Sequence, residues 1–359
     1  MGASAKLEPT PARSRAASLP GRRLLTRLVA GDLRGYAIVV VMFLVAGWIN
    51  SAMFEASTLQ ALAARAVPIM LVATGEACVL LLGELDLSVG AITALAGVLV
   101  ISLMNGGMPT GEAVAVAVAA GAAAGFVNGW CTAVLRVSSF IVTLGSSFAF
   151  YGVALAAAKG VQVPASEFGP TTWLAESFGS IFTPVTVIGI VVIAAVAIGV
   201  GSTPWGRQLY AIGGDPESAE RWGLRVRRRV IEAFMLSGAL AAAGGVLTAL
   251  LLATGDPTVG SDVLLDAIAG AVIGGVGAKP GEGRIGSAAC GALALIVLEF
   301  LLNQQNVGAS TQQLVAGLVV VLVGLGRLEP ALTRSLTNNL PRPLMEIWQR
   351  RTALTEGRR

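Results

Sequence analysis

The sequence contains no histidine. That removes the commonest metal ligand and the side chain that most readily changes charge near neutral pH. Catalysis built on imidazole is excluded, and any proton coupling would have to rest on carboxylates. Charge is scarce: 13% of the 359 residues are Asp, Glu, Lys or Arg, about half the usual fraction of a soluble domain. Cysteine is scarce too. Cys78, Cys131 and Cys290 each sit in an apolar run. They have neither metal-ligand spacing nor a disulfide framework, and read as small packing residues. No G-x-x-x-x-G-K-S/T phosphate loop occurs, so if ATP drives this protein, another chain must bind it. No cofactor or metal site is expected in this chain.

What the sequence has in abundance is apolar length. Hydrophobic residues make up 55% of it, and the mean hydropathy is +0.76. A bilayer core about 30 Å thick is crossed by roughly 20 mostly apolar residues in a helix. Such runs recur throughout, far longer than barrel strands, and only helices or closed barrels satisfy their backbone in lipid. The expectation is an all-α integral membrane protein with about ten spans: 36–54, 60–82, 87–104, 112–134, 140–158, 184–201, 229–254, 264–276, 285–302 and 311–327. The first has no convincing cleavage site and reads as an uncleaved helix rather than a signal peptide. The eighth is short for a span, so it is either broken or extended by the polar stretch before it. The chain divides into a basic N-terminal tail (1–35), a transmembrane domain (36–327) and a basic C-terminal tail (328–359).

Charge orients these spans. With the N-terminus inside, the inner segments hold seven Lys/Arg in the N-terminal tail, Arg136, six in 202–230, two in 277–284 and seven from Arg327 onward. Only Lys159, outside, and Arg65, within span two, depart from the positive-inside rule. Both termini are therefore expected in the cytoplasm. Making 264–276 a re-entrant hairpin would turn the Arg-rich tail outward, against the rule.

Charges within spans are costly, at roughly 2.5–3.5 kcal/mol at mid-bilayer. Glu232, Asp266 and Glu299 lie near span ends, where they can reach the headgroups. Glu76 lies deeper, so it either lines a wet path or pairs with a polar neighbour. Gly121, Gly125 and Gly129, and Gly270 with Gly274, have the four-residue spacing that lets helices approach closely in lipid.

Four motifs stand in order. Gly83-Glu84-Leu85-Asp86-Leu87-Ser88-Val89-Gly90 joins spans two and three, where Asp86 or Ser88 can cap the next helix. Asn128-Gly129 is followed by Ser139-Phe140-Ile141-Val142-Thr143-Leu144-Gly145. The loop after span six runs from Trp205-Gly206-Arg207 through Gly213-Gly214-Asp215 to Ala219 and Gly223. Its Asp215-Pro216-Glu217 is a helix start with N-cap, proline and first-turn acid, and Gly223 ends that helix. Leu265-Asp266-Ala267-Ile268-Ala269 leads to Ile273-Gly274-Gly275 and then Gly281-Glu282-Gly283-Arg284-Ile285-Gly286.

Together these motifs resemble the permease subunits of ribose/xylose/arabinose-type ABC sugar importers, over about residues 36–327. The resemblance implies a type II ABC importer-like permease in the bacterial inner membrane, carrying a monosaccharide. It implies a second permease subunit (a homodimer), a cytoplasmic ATPase and a periplasmic sugar-binding protein as partners, with lipid around them and no nucleic acid. It places ATPase coupling at Gly213, Gly214, Asp215, Ala219 and Gly223. Candidate path residues are Glu76, Asp86, Ser88, Asn128 and Asp266. Glu76, Glu84 and Gly277-Ala278-Lys279-Pro280-Gly281 depart from the sugar-permease pattern, which leaves a nucleoside or branched-chain amino acid as alternative cargo. An ion-coupled secondary transporter using Glu76 and Asp266, a passive channel and an intramembrane enzyme are the rival classes; no nucleophile–base pair supports the last.

Overall fold

The computed structural model describes residues 34–166, 172, 174, 176, 182–277, 279–319, 321 and 322. The C-terminal tail and the N-terminal tail, except Arg34 and Gly35, lie outside the described residues. So does the end of the tenth expected span.

The chain is helical almost throughout. In order come α1 (Arg34–Ile49), a 3-10 turn (Ser51–Phe54), α2 (Ala56–Leu81), α3 (Val89–Asn105), α4 (Thr110–Ala133) and α5 (Ser139–Ala157). Then follow β1 (Val163–Pro164), α6 (Pro184–Ser202), α7 (Pro204–Gly214), α8 (Pro216–Arg221) and α9 (Val226–Leu252). β2 (Thr254–Gly255), α10 (Gly260–Gly274) and α11 (Ile285–Gln304) complete the set, and residues 309–319 are helical. Among the described residues, six helices (α2, α4, α5, α6, α9 and α11) have the length and composition to cross a membrane, and α1 and α3 are shorter apolar helices. This is a multi-pass, all-α membrane protein. The two short strands pair antiparallel, Val163 with Gly255 and Pro164 with Thr254. They tie the segment after α5 to the end of α9.

The central helix is α9, packed against α4, α2 and α3, while α11 joins α10, α2 and α1. Glycine makes the tightest of these seams. A Cβ on Gly121, Gly125 or Gly129 of α4 would lie 2.5 Å from the Gly238 carbonyl, 2.1 Å from that of Phe234 and 2.8 Å from Ile231 Cα. The α4 and α9 backbones therefore touch directly, which maximises dispersion contacts where lipid leaves no hydrophobic drive between helices. Gly270 and Gly274 do the same for α10 against Ala292 and Ser287 of α11.

The eighth expected span resolves as an unbroken helix that begins earlier than its apolar run. It has 15 residues, about 22 Å at ~1.5 Å per residue. Its first turn is polar because packing, not hydrophobicity, sets the start: a Cβ on Gly90 of α3 would sit 2.1 Å from the Gly260 carbonyl.

Candidate functional site

Three of the sequence motifs, and the glycine-rich second half of the fourth, converge on the junction between α2 and α3. The reversal starts at Gly83, whose φ of +80° suits glycine. Leu85 is held through its backbone: its amide donates to Ser139 Oγ at 3.2 Å and its carbonyl accepts from Thr143 Oγ1 at 3.2 Å. The second motif thus grips the first. Asp86 then points inward, fully buried. Its Oδ1 accepts from the Ser88 amide at 3.0 Å and the Ser88 hydroxyl at 2.6 Å, and its Oδ2 accepts from Ser237 Oγ of α9 at 3.3 Å. Asn128 Nδ2 of α4 donates to Ser88 Oγ at 2.7 Å. Asp86 thus closes a local turn, whereas Ser88, the residue before α3, makes no side-chain capping bond.

Glu76 belongs to the same cluster. Its Oε1 accepts from the Asp86 amide at 3.3 Å. Of the two accounts open for Glu76, a wet path or a polar neighbour, the chain itself supplies the neighbour. Glu76, Asp86, Ser88, Asn128 and Ser237 are all 0% exposed. Three buried atoms around them, Glu76 Oε2, Asn128 Oδ1 and Thr132 Oγ1, have no hydrogen-bond partner among the described residues. Four of the five candidate path residues are therefore in one place, but sealed within the subunit.

The cytoplasmic motif abuts this junction. Thr203 caps α7, accepting from the Gly206 amide at 3.3 Å, and Pro204 follows at the first position. The α7 helix was not separated from the loop in the sequence. It presses Gly213 against the end of α2: a Cβ there would lie 1.8 Å from the Leu81 carbonyl and 2.5 Å from the Gly281 amide nitrogen. That same Leu81 carbonyl accepts from the Gly281 amide at 2.8 Å. Tyr210 Oη donates to the Gly283 carbonyl at 2.9 Å. A Cβ on Gly214, by contrast, would meet nothing within 4 Å.

Asp215 ends α7 and starts α8, with Oδ1 accepting from the Ser218 amide at 3.0 Å and Oδ2 from its hydroxyl at 2.6 Å. The Ser218 hydroxyl and amide hold the Asp215 carboxyl below the usual carboxylate range. Ala219 is buried in a cluster with Val79 and Leu82 of the α2 end and Phe234 of α9. Gly223, at φ +82°, closes α8, and the Leu224 amide donates back to the Ala219 carbonyl at 3.0 Å. At the start of α9, Glu232 pairs with Arg228 and Arg229 and accepts from Trp205 Nε1 at 2.7 Å, locking α7 to α9.

Asp266 lies elsewhere. It faces a cavity between α2, α10, α11 and residues 309–319. There Arg65 Nη2 meets Glu299 Oε2 at 2.7 Å, and Asp266 lines the same cavity. Arg65, the misfit to the charge rule, is thus explained by a partner 234 residues away. Sequence reasoning missed Arg65, Ser237 and Glu299 as site residues. The charges of Arg65 and Glu299 within spans were the available signals.

The permease component family of branched-chain amino acid transport systems matches residues 58–324. The chain is 31% identical over 313 residues to the ribose import permease protein RbsC of Escherichia coli K12, covering 86% of this chain and 97% of that protein. It is also 31% identical over 310 residues to the autoinducer 2 import system permease protein LsrC of E. coli K12/DH10B, covering 85% of this chain and 90% of that one. LsrC of Shigella flexneri matches to the same extent, at 31% over 310 residues. No solved structure matches.

Proposed function

We propose, since the chain belongs to the permease component family of branched-chain amino acid transport systems, that it is the membrane-spanning permease subunit of an ABC importer. Its cargo is a monosaccharide of the ribose or xylose kind. The observation that carries this is the 31% identity to a ribose import permease along nearly the whole length of both chains. The convergence of three motifs and the second half of the fourth on the α2–α3 junction supports it.

The chain is a transport subunit rather than an enzyme, and it holds no cofactor. A separate cytoplasmic ATPase hydrolyses ATP, and a periplasmic protein delivers the sugar. A second copy of this permease completes the path. The α5 helix, almost wholly exposed outside its contacts with α3 and α4, is free to meet that copy or lipid. Ten helices cross the membrane with both tails inside.

Movement passes from the ATPase through α8. Trp222, at its end, is 87% exposed and offers an apolar ring to a docking protein. Gly213, Asp215, Ala219 and Gly223 form the coupling element, while Gly214, between the first two, faces open space. Ala219 and Gly213 bear on the end of α2, so a push on α8 moves the helix that carries Glu76 and the turn that carries Asp86. That is a rigid-body transmission of the kind that reorients subunits about an interface. Glu76, Asp86, Ser88 and Asn128 hold this turn beside the path, and Asp266 faces the path itself.

Purification of the tagged chain from its own membranes, with its companions identified, tests the reading. An ATPase in about equal amount and ATP-driven uptake of D-ribose in proteoliposomes are expected. A preparation free of any ATPase, even after crosslinking, would sink it. The family description favours one second reading, a branched-chain amino acid or nucleoside as cargo, which competition against ribose uptake would expose.

A further inference from the structure

The cavity at Asp266 is distinct from the α2–α3 junction. It measures about 450 Å³, within the roughly 300–1,000 Å³ of small-molecule sites. Arg65 of α2, Asp262 and Asp266 of α10, Glu299 of α11, and Gln312 and Gln313 line it. Apolar side chains such as Leu265 and Leu295 make up the rest of its wall.

Glu299 is 11% exposed at its side chain but Arg65 is 47% exposed, so the guanidinium borders open space. Arg65, Asp262, Asp266 and Glu299 form one group on the cavity wall that offers both donors and acceptors. A metal cation would face the Arg65 guanidinium at once, and no cluster able to hold a metal occurs among the described residues. A neutral polyol suits the group better. Each hydroxyl donates one bond and accepts others, so carboxylates, amides and guanidinium can all be used. No aromatic side chain is among the described lining residues, and a loose hold is what a solute in transit requires.

We propose that this cavity is a weak sugar subsite on the transport path, with Arg65, Asp266, Glu299 and Gln313 contacting the hydroxyls. The inference rests on the sugar-permease reading. Gln313 is exposed, so its replacement leaves the fold intact where Asp266→Asn could disturb it.

The test uses the full chain in nanodiscs with D-ribose as probe, read by saturation-transfer NMR, beside ATP-driven ribose uptake by the whole complex in proteoliposomes. Gln313→Ala and Asp266→Asn should each weaken the ribose signal, and raise the KM for uptake by roughly tenfold, the equivalent of about one hydrogen bond to a charged group. Equal signals and equal KM in both variants would overturn the subsite while leaving the sugar permease standing. Wild-type protein that neither binds nor imports ribose would overturn both. A thermal shift with calcium chloride but none with ribose, lost in Asp266→Asn, would make the cavity a cation site and overturn the proposal.

Discussion

Gly213 has no side chain where the Leu81 carbonyl passes: a Cβ on it would stand 1.8 Å from that oxygen. The end of the α7 helix and the end of α2 are therefore one joint, closed further by the Gly281 amide on the same carbonyl at 2.8 Å.

Gly213→Ala should force this joint apart. Uptake and stimulated ATP hydrolysis in proteoliposomes are expected to fall by an order of magnitude or more, since overpacking costs about 1–3 kcal/mol. Gly214→Ala, one residue on and facing open space, should change neither. Equal effects at the two positions would mean that the joint carries no coupling.

The buried pair Glu76 and Asp86 should respond in opposite ways. Asp86 accepts three hydrogen bonds, so Asp86→Ala leaves Ser88 and Ser237 short of a partner and should destabilise by roughly 2–4 kcal/mol. Glu76 accepts one bond, and its second oxygen has no partner among the described residues. Glu76→Gln keeps the shape and the acceptor while removing the possibility of a buried charge. Its melting temperature in detergent should equal or exceed wild type. A large drop would show that the carboxylate itself is required.

Asp215 and Gly223 set the two ends of α8. A folded-state carboxyl held below its ordinary range stabilises above the unfolded value, about pH 3.9, and that contribution is lost as pH falls through the lower folded value. Docking of the ATPase, followed by co-purification, should therefore be insensitive to this group between pH 7 and pH 5. Asp215→Ala should weaken docking at every pH in that window. Gly223→Val, strained at φ +82°, should lower stimulated hydrolysis several-fold; unchanged hydrolysis would remove α8 from the coupling path.

Arg65→Met should destabilise by about 1–2 kcal/mol, less than a fully buried pair because the guanidinium is half exposed. Adding Glu299→Gln should recover part of that loss, since the remaining charge goes with it. A double-mutant cycle on melting temperature checks this, and strict additivity would show that the 2.7 Å contact carries no coupling.

The helices were legible because each is a local pattern. The expected spans coincide with helices where they are described, with ends a few residues off, and six of those helices have the length and composition to cross a membrane. The α8 helix was legible to the residue at both ends, because Asp215-Pro216-Glu217 and Gly223 are local stop and start chemistry. The start of α10 was not. Its apolar run begins at Leu264, and only contact with Gly90 of α3 draws the helix back to Gly260.

The sequence by itself determined that this chain lives in a membrane, where its helices lie and which family it belongs to, because hydropathy, capping and motif order are read along the chain. Only the tertiary structure decided what the polar residues do. Glu76 and Asp86 meet within one hairpin, but Asn128 and Ser237 reach them from 40 and 151 residues away, and Arg65 finds Glu299 across 234. A charge in a span announces that it needs a partner, but the partner is chosen by which helices pack together, and that choice is made by glycine seams and buried surfaces that no single stretch of sequence contains.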